Sequence, residues 1–211
     1  MKKDTSIILG IMGVVIVVVV WLIAAGSHNG TAATSSASDA LAPTKGPANA
    51  KVHLVEYGDF QCPACAGAVS IIHTLTAAYP DSLQLSFMHF PLSQHQNAFA
   101  AAVTAEIAKE NGHFWEMYDM LYANQQSWEN SPNALAIFKD FATVVGVDKA
   151  KYQQAVANPS KYQTRVRDNQ QKGTNLQISG TPTFFINDKI YTGEITLKGL
   201  KEQIDTAMHM Q

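Results

Sequence analysis

The chain has 211 residues, 46% of them hydrophobic, with 15 Lys+Arg against 17 Asp+Glu and a formal net charge of -2. This balance lacks the basic footprint of a nucleic-acid binder, and the apolar content is too high for wholesale disorder. Two cysteines cannot build a disulfide-rich miniprotein, nor a four-thiolate zinc or iron–sulfur site.

Between Asp4 and Asp39 there is no Asp, Glu, Lys or Arg. Within that gap Ile7 to Ala25 is an apolar run long enough, at about 28 Å of helix, to cross a bilayer. Residues 1–25 therefore read as an N-terminal signal-anchor transmembrane helix; a cleaved signal peptide is the alternative, with Ala24, Ala25 and Gly26 small enough for cleavage. Lys2 and Lys3 ahead of the run favour a cytoplasmic N-terminus, so either reading puts the rest of the chain outside the cytoplasm. Residues 26–47, rich in Ser, Thr, Ala and Gly, read as a flexible tether, which makes 48–211 the folded domain.

Val52, Leu54 and Glu56 alternate with His53, Val55 and Tyr57, predicting a buried strand. A helix is expected from about Cys62 to Tyr79, carrying Val69, Ile72, Leu75 and Ala78 on one face. Leu83, Leu85, Phe87 and Phe90 then mark a second strand. The β-α-β order implies parallel pairing through a right-handed crossover. A long helical region follows. Phe99, Val103 and Ile107 mark one helix and Phe114, Tyr118, Leu121 and Tyr122 a second. Ser131-Pro132 opens a third, with Leu135, Phe138, Phe141 and Val145 facing one way and Gly146 as C-cap. Asp148 caps a short helix to Ala157, and a polar helix runs from Ser160 to about Lys172. Strands return at Thr183–Ile186 and Ile190–Thr192 around an Asn187-Asp188 turn, before a last helix with Leu197, Leu200, Ile204 and Met208.

Both cysteines fall in one motif, Cys62-Pro63-Ala64-Cys65, directly after a strand and opening a helix. Unpaired N–H groups and the positive dipole end of a helix N-terminus stabilise a thiolate. Cysteines three apart in the first turn are close enough to join, and Pro63 loses no hydrogen bond there. Cys62 is expected to be exposed and acidic, and Cys65 to be packed inside. A fall of Cys62 from about 8.5 to about 4.5 would stabilise its thiolate by roughly 5 kcal/mol, enough to move the couple towards an oxidising potential. Inert core thiols, a structural disulfide, or a zinc half-site completed by His89 and His95 are weaker readings. Ala66 after the second cysteine excludes covalent haem attachment.

Tyr57 to Cys65 (YGDFQCPAC), together with Gly180 to Asn187 (GTPTFFIN) more than 110 residues downstream, resembles the DsbA-like thiol:disulfide oxidoreductases, most of all their membrane-tethered BdbD-like branch. The resemblance implies an α/β thioredoxin fold interrupted by a helical insertion at about 95–175. It implies a redox-active Cys62–Cys65 pair that needs no metal or diffusible cofactor, and a cis Thr181–Pro182 peptide facing it. Glu56 matches the position where relatives hold a buried acid able to accept the Cys65 proton; the alternative is a strand-end Glu in water. Asp59 reads as a solvated loop residue or N-cap, and the histidines as surface or packing residues. The function implied is introduction of disulfides into unfolded exported proteins, with reoxidation by a quinone-linked membrane partner. Ala64 offers a thiolate only its backbone N–H, where some strongly oxidising relatives carry His. A disulfide reductase or isomerase therefore stands as the alternative, followed by a non-catalytic peptide-binding domain.

Overall fold

A computed structural model describes residues 36–210. The expected transmembrane helix, and the tether as far as residue 35, lie outside the described residues. Among the described residues no helix is long and apolar enough to cross a membrane.

Five strands form one sheet in the order β1-β3-β2-β4-β5: β1 (Thr44–Lys45), β2 (Val52–Gly58), β3 (Leu83–His89), β4 (Thr183–Ile186) and β5 (Lys189–Ile190). β2 is central, parallel to β3 and antiparallel to β4. From Leu54 onward every residue of β2 is buried, as expected of a strand covered on both faces. On one face Val52 and Leu54 pack with Leu83, Leu85, Phe184 and Ile186 beneath α1 (Pro63–Ala78), which contributes Ala68, Ile72 and Leu75. The C-terminal Leu197–His209 helix adds Leu200 and Ile204 to the same layer. On the other face Val55, Tyr57 and Phe185 meet Met88, Phe90 and Ile178.

Six helices lie between β3 and β4: α2 (Ala98–Glu110), α3 (Phe114–Ala123), α4 (Gln125–Trp128), α5 (Ala134–Val144), α6 (Lys149–Ala157) and α7 (Ser160–Asn175); the Leu197–His209 helix is α8. Their apolar side chains, among them Met117, Tyr118, Leu121, Trp128 and Phe138, join Phe60, Phe87 and both cysteines in one core. The insertion thus packs directly on the redox motif.

Three local expectations need correction. Residues 36–47 are not free tether. Ala37 and Ala42 are buried, and the Tyr57 hydroxyl donates to the Ala37 carbonyl at 2.7 Å. The Asp39 carboxylate accepts from Arg165 at 2.6 Å and Asn169 at 2.9 Å, and Thr44–Lys45 pairs with β3. Backbone hydrogen bonds and a single acid anchor this strap, and neither leaves an apolar period to read. The Ser131-Pro132 pair forms a turn, with Ser131 Oγ accepting from Asn133 N at 3.1 Å, and α5 starts only at Ala134. Finally, Leu135 is 64% exposed and Phe99 and Val103 are only half-buried, because α2 packs through Ala98, Ala101, Ala102 and Ala105. Small side chains let helices approach closely, so the packed face of α2 is marked by alanines together with Ile107, and not by Phe99 or Val103.

Candidate active site

Cys62 sits at the N-cap of α1 in extended conformation (φ -76°, ψ 121°), with Pro63 in the first helical turn. The Cys62 carbonyl accepts from Ala66 N at 3.2 Å, which starts the helix. Both cysteines are free thiols. Cys65 is fully buried, and Cys62 keeps only 6% of its surface, less than the exposed position expected. The cause is the segment opposite: the Thr181–Pro182 bond is cis, and the Cys62 thiol donates to the Thr181 carbonyl at 3.3 Å. Pro63 and Ala64 remain exposed, so the pair lies at the edge of the core.

Below the pair, Glu56 is completely buried, which disposes of the strand-end reading. It stands in register between Phe87 on β3 and Phe184 on β4. Its Oε2 accepts from the Tyr118 hydroxyl at 3.1 Å, whereas Oε1 has no partner. Gly58 is needed here, since a Cβ would come within 2.5 Å of the Phe87 ring and 3.1 Å of Glu56 Oε1.

These surroundings separate the proton affinities of the three groups. Donation from the Cys65 thiol is the main reason the Cys62 pKa falls to about 5, against the opposing effect of burial; Thr181 and the backbone N–H groups of Cys65 and Ala64 assist. A carbonyl cannot stabilise a thiolate, but the Thr181 hydroxyl, buried with no other partner, can turn its proton to the sulfur. Burial pushes the Cys65 thiol far up, helped by its bond to Cys62 and the charge of Glu56. Burial also raises Glu56 to about 8; Tyr118 opposes this rise and the charge of Cys62 adds to it.

The loop leading into Cys62 is held by side chains. Asp59 is 1% exposed and accepts from Gln61 N at 2.7 Å, Leu92 N at 2.8 Å and His95 Nδ1 at 2.7 Å. It is neither solvated nor the N-cap, which is Cys62 itself. Gln125 Nε2 donates to the carbonyls of Phe60 (2.8 Å) and Cys62 (3.1 Å), and Tyr122 donates to the Asp59 carbonyl at 3.3 Å. The Gln61 side chain bridges Asn97 N (2.8 Å) and the Glu129 carbonyl (2.8 Å).

A paired thiol motif at a helix N-terminus facing a cis-proline is therefore present, and the family model described as Thioredoxin matches residues 41–206. The chain belongs to the thioredoxin family. Relatives of this thioredoxin-family chain include the Na(+)/H(+) antiporter NhaA 1 of Mycobacterium sp. (strain KMS), 36% identical over 71% of this chain. The chain spans about a quarter (24%) of that antiporter's length. A probable disulfide bond formation protein D from Bacillus anthracis is 28% identical, with 76% of this chain and 75% of the relative covered. Among solved structures, oxidised BdbD from Bacillus subtilis superposes with a TM-score of 0.70 at 22% identity, covering 79% of this chain and 92% of that one.

The geometry separates other residues from this thioredoxin-family pair. His89 and His95 do not converge: His89 is fully buried against Glu106 at 3.1 Å, and His95 binds Asp59. Among the described residues no group of three His, Cys, Asp or Glu could hold a metal. Tyr118, Tyr122 and Gln125 lie on the insertion and were not legible as site residues. Gln125, for example, is 65 residues from the Phe60 carbonyl it binds. Only the aromatic stripe of α3 hinted that Tyr118 and Tyr122 face inward.

Proposed function

We propose that this chain is an extracytoplasmic thiol:disulfide oxidoreductase that introduces disulfides into exported proteins through Cys62 and Cys65. The observation that carries the reading is the placement of the two sulfurs at the N-terminus of α1, Cys62 against the Thr181 carbonyl of the cis Thr181–Pro182 segment and Cys65 fully buried, which makes Cys62 the acidic thiol and pushes Cys65 up. The oxidised enzyme holds the Cys62–Cys65 bond. A substrate thiolate attacks Cys62 Sγ, the S–S bond breaks, and its electron pair leaves with Cys65, which takes a proton from Glu56. A second substrate thiolate then attacks the substrate sulfur of the mixed disulfide. Cys62 departs as a thiolate, and two electrons have passed from substrate to enzyme. A thiolate of pKa about 5 is a good leaving group at neutral pH.

Relative to an ordinary thiol at 9.0, Cys62 at about 5 favours the reduced enzyme by roughly 3 kcal/mol at pH 7, or roughly 60 mV towards an oxidising potential. That contribution disappears as pH falls through about 5. Thr181 and Pro182 would align the substrate backbone as an added strand. Placement on the outer face of the membrane rests on the apolar run at 7–25 behind Lys2 and Lys3. A quinone-linked membrane protein is the proposed reoxidant. Antiport is not carried over from the antiporter relatives, since the match reaches only 24% of their length.

The test is the Cys65→Ala variant expressed with its tether. Mixed disulfides on Cys62 with exported thiol proteins should accumulate as high-mass species that collapse with reductant; their absence would sink the proposal. A measured potential near about -120 mV supports an oxidant, and one near about -270 mV supports a reductase or isomerase.

A further inference from the structure

Tyr118 is supplied by α3 of the inserted helices, yet its hydroxyl reaches across to the sheet. Among the described residues it is the side-chain donor that meets the Glu56 carboxyl, at 3.1 Å, and both side chains are buried. The other carboxyl oxygen has none. The other titratable groups acting on this site are Cys62 and Cys65 of α1 and Tyr122 of α3; the flanking strands present Phe87 and Phe184.

We propose that Tyr118 is a positioning residue that sets the proton affinity of Glu56, so that the helical insertion tunes when Cys65 can gain or lose its proton. The proposal rests on the reading of Glu56 as the proton partner of Cys65. When Cys65 leaves during reduction of the enzyme disulfide, the Glu56 carboxyl gives it a proton and becomes a buried carboxylate. At that moment the Tyr118 O–H is the side-chain donor, among the described residues, that meets the new charge. Hydrogen bonds to charged groups are stronger than neutral ones, so this contact favours the ionised state over the neutral one. Burial keeps the Tyr118 phenol itself protonated well above its ordinary range, so it stays a donor throughout.

The experiment follows the rate at which excess glutathione reduces the oxidised full chain, corrected for glutathione's own ionisation, across pH. In the wild type the rate should fall as Glu56 ionises, with a midpoint raised above the ordinary carboxyl range by burial. Tyr118→Phe removes one oxygen and should move that midpoint up by about one pH unit. Tyr122→Phe, which removes the same atom from a hydroxyl bound to the Asp59 carbonyl, should leave the midpoint in place. Site-specific 3-fluorotyrosine at 118, a stronger donor, should move it down, and decides the matter alone if Tyr118→Phe does not fold. A midpoint unmoved by the changes at 118, but abolished by Glu56→Gln, would overturn the role of Tyr118. A midpoint that survives Glu56→Gln would instead overturn the underlying reading of Glu56.

Discussion

Glu56 and Asp59 are carboxylates three residues apart, both withdrawn from water, and their surroundings have little else in common. Asp59 receives three donors on its two oxygens, while Glu56 receives one. A buried carboxylate met by several donors works as an anchor. With a single donor it is driven towards the neutral acid, and so becomes a store for one proton. The strap residue Asp39 also meets three donors, Leu41 N, Arg165 and Asn169: burial acts to raise its pKa, but Arg165 and the Leu41 N–H overcome that and hold it below the ordinary carboxylate value. What a buried acid does here follows from the number of donors it meets, more than from the depth of burial.

The comparison breaks first at Asp59. Asp59→Ala would leave His95 and two backbone N–H groups without their acceptor, and should cost about 3–5 kcal/mol. Thermal unfolding of the reduced protein should show a drop of roughly 10 °C. A variant melting like the wild type would mean that Asp59 anchors nothing.

Glu56→Gln should act in the opposite direction and depend on pH. A group raised from 4.5 to about 8 contributes fully below pH 4.5, and that contribution is lost progressively until pH reaches about 8. The stability of Glu56→Gln relative to wild type should therefore be greater at pH 7 than at pH 4 by roughly 3 kcal/mol. Denaturant titrations at the two pH values measure it, and a pH-independent difference would contradict the buried neutral acid.

The smallest effect is expected at Asp39. Its lowered pKa gives stability that is present above the ordinary value of 3.8 and lost on further acidification. Asp39→Asn should cost about 1 kcal/mol at pH 7 and less in acid, once pH has fallen through the native carboxylate's lowered pKa. Proteolysis ahead of Ala42 should become faster in the variant. Equal stability at both pH values would show the strap to be held by its backbone bonds alone.

Much of this was readable along the chain. The strand–helix junction at Cys62, the Asp148 cap and the Asn187-Asp188 turn depend on near neighbours, and they appear where expected: Asp148 accepts from Lys151 N, and both turn residues have positive φ. Glu56 was legible because alternation aligned it with Val52 and Leu54. Leu135 and Phe99 misled, because size is a poor guide to which helix face is covered when alanines make the contact. Asp59 misled because an acid in a loop usually finds water, and two of the three donors that displace water here lie 33 and 36 residues away.

By itself, the order of residues determined a β-α-β opening, a helical middle, and two sulfurs placed at the first turn of a helix, since these follow from periodicity and local capping. Only the folded chain decided which protons each group holds. Charge is governed by burial and by donors such as Tyr118 and Thr181, which arrive from distant segments, and no local pattern encodes that encounter.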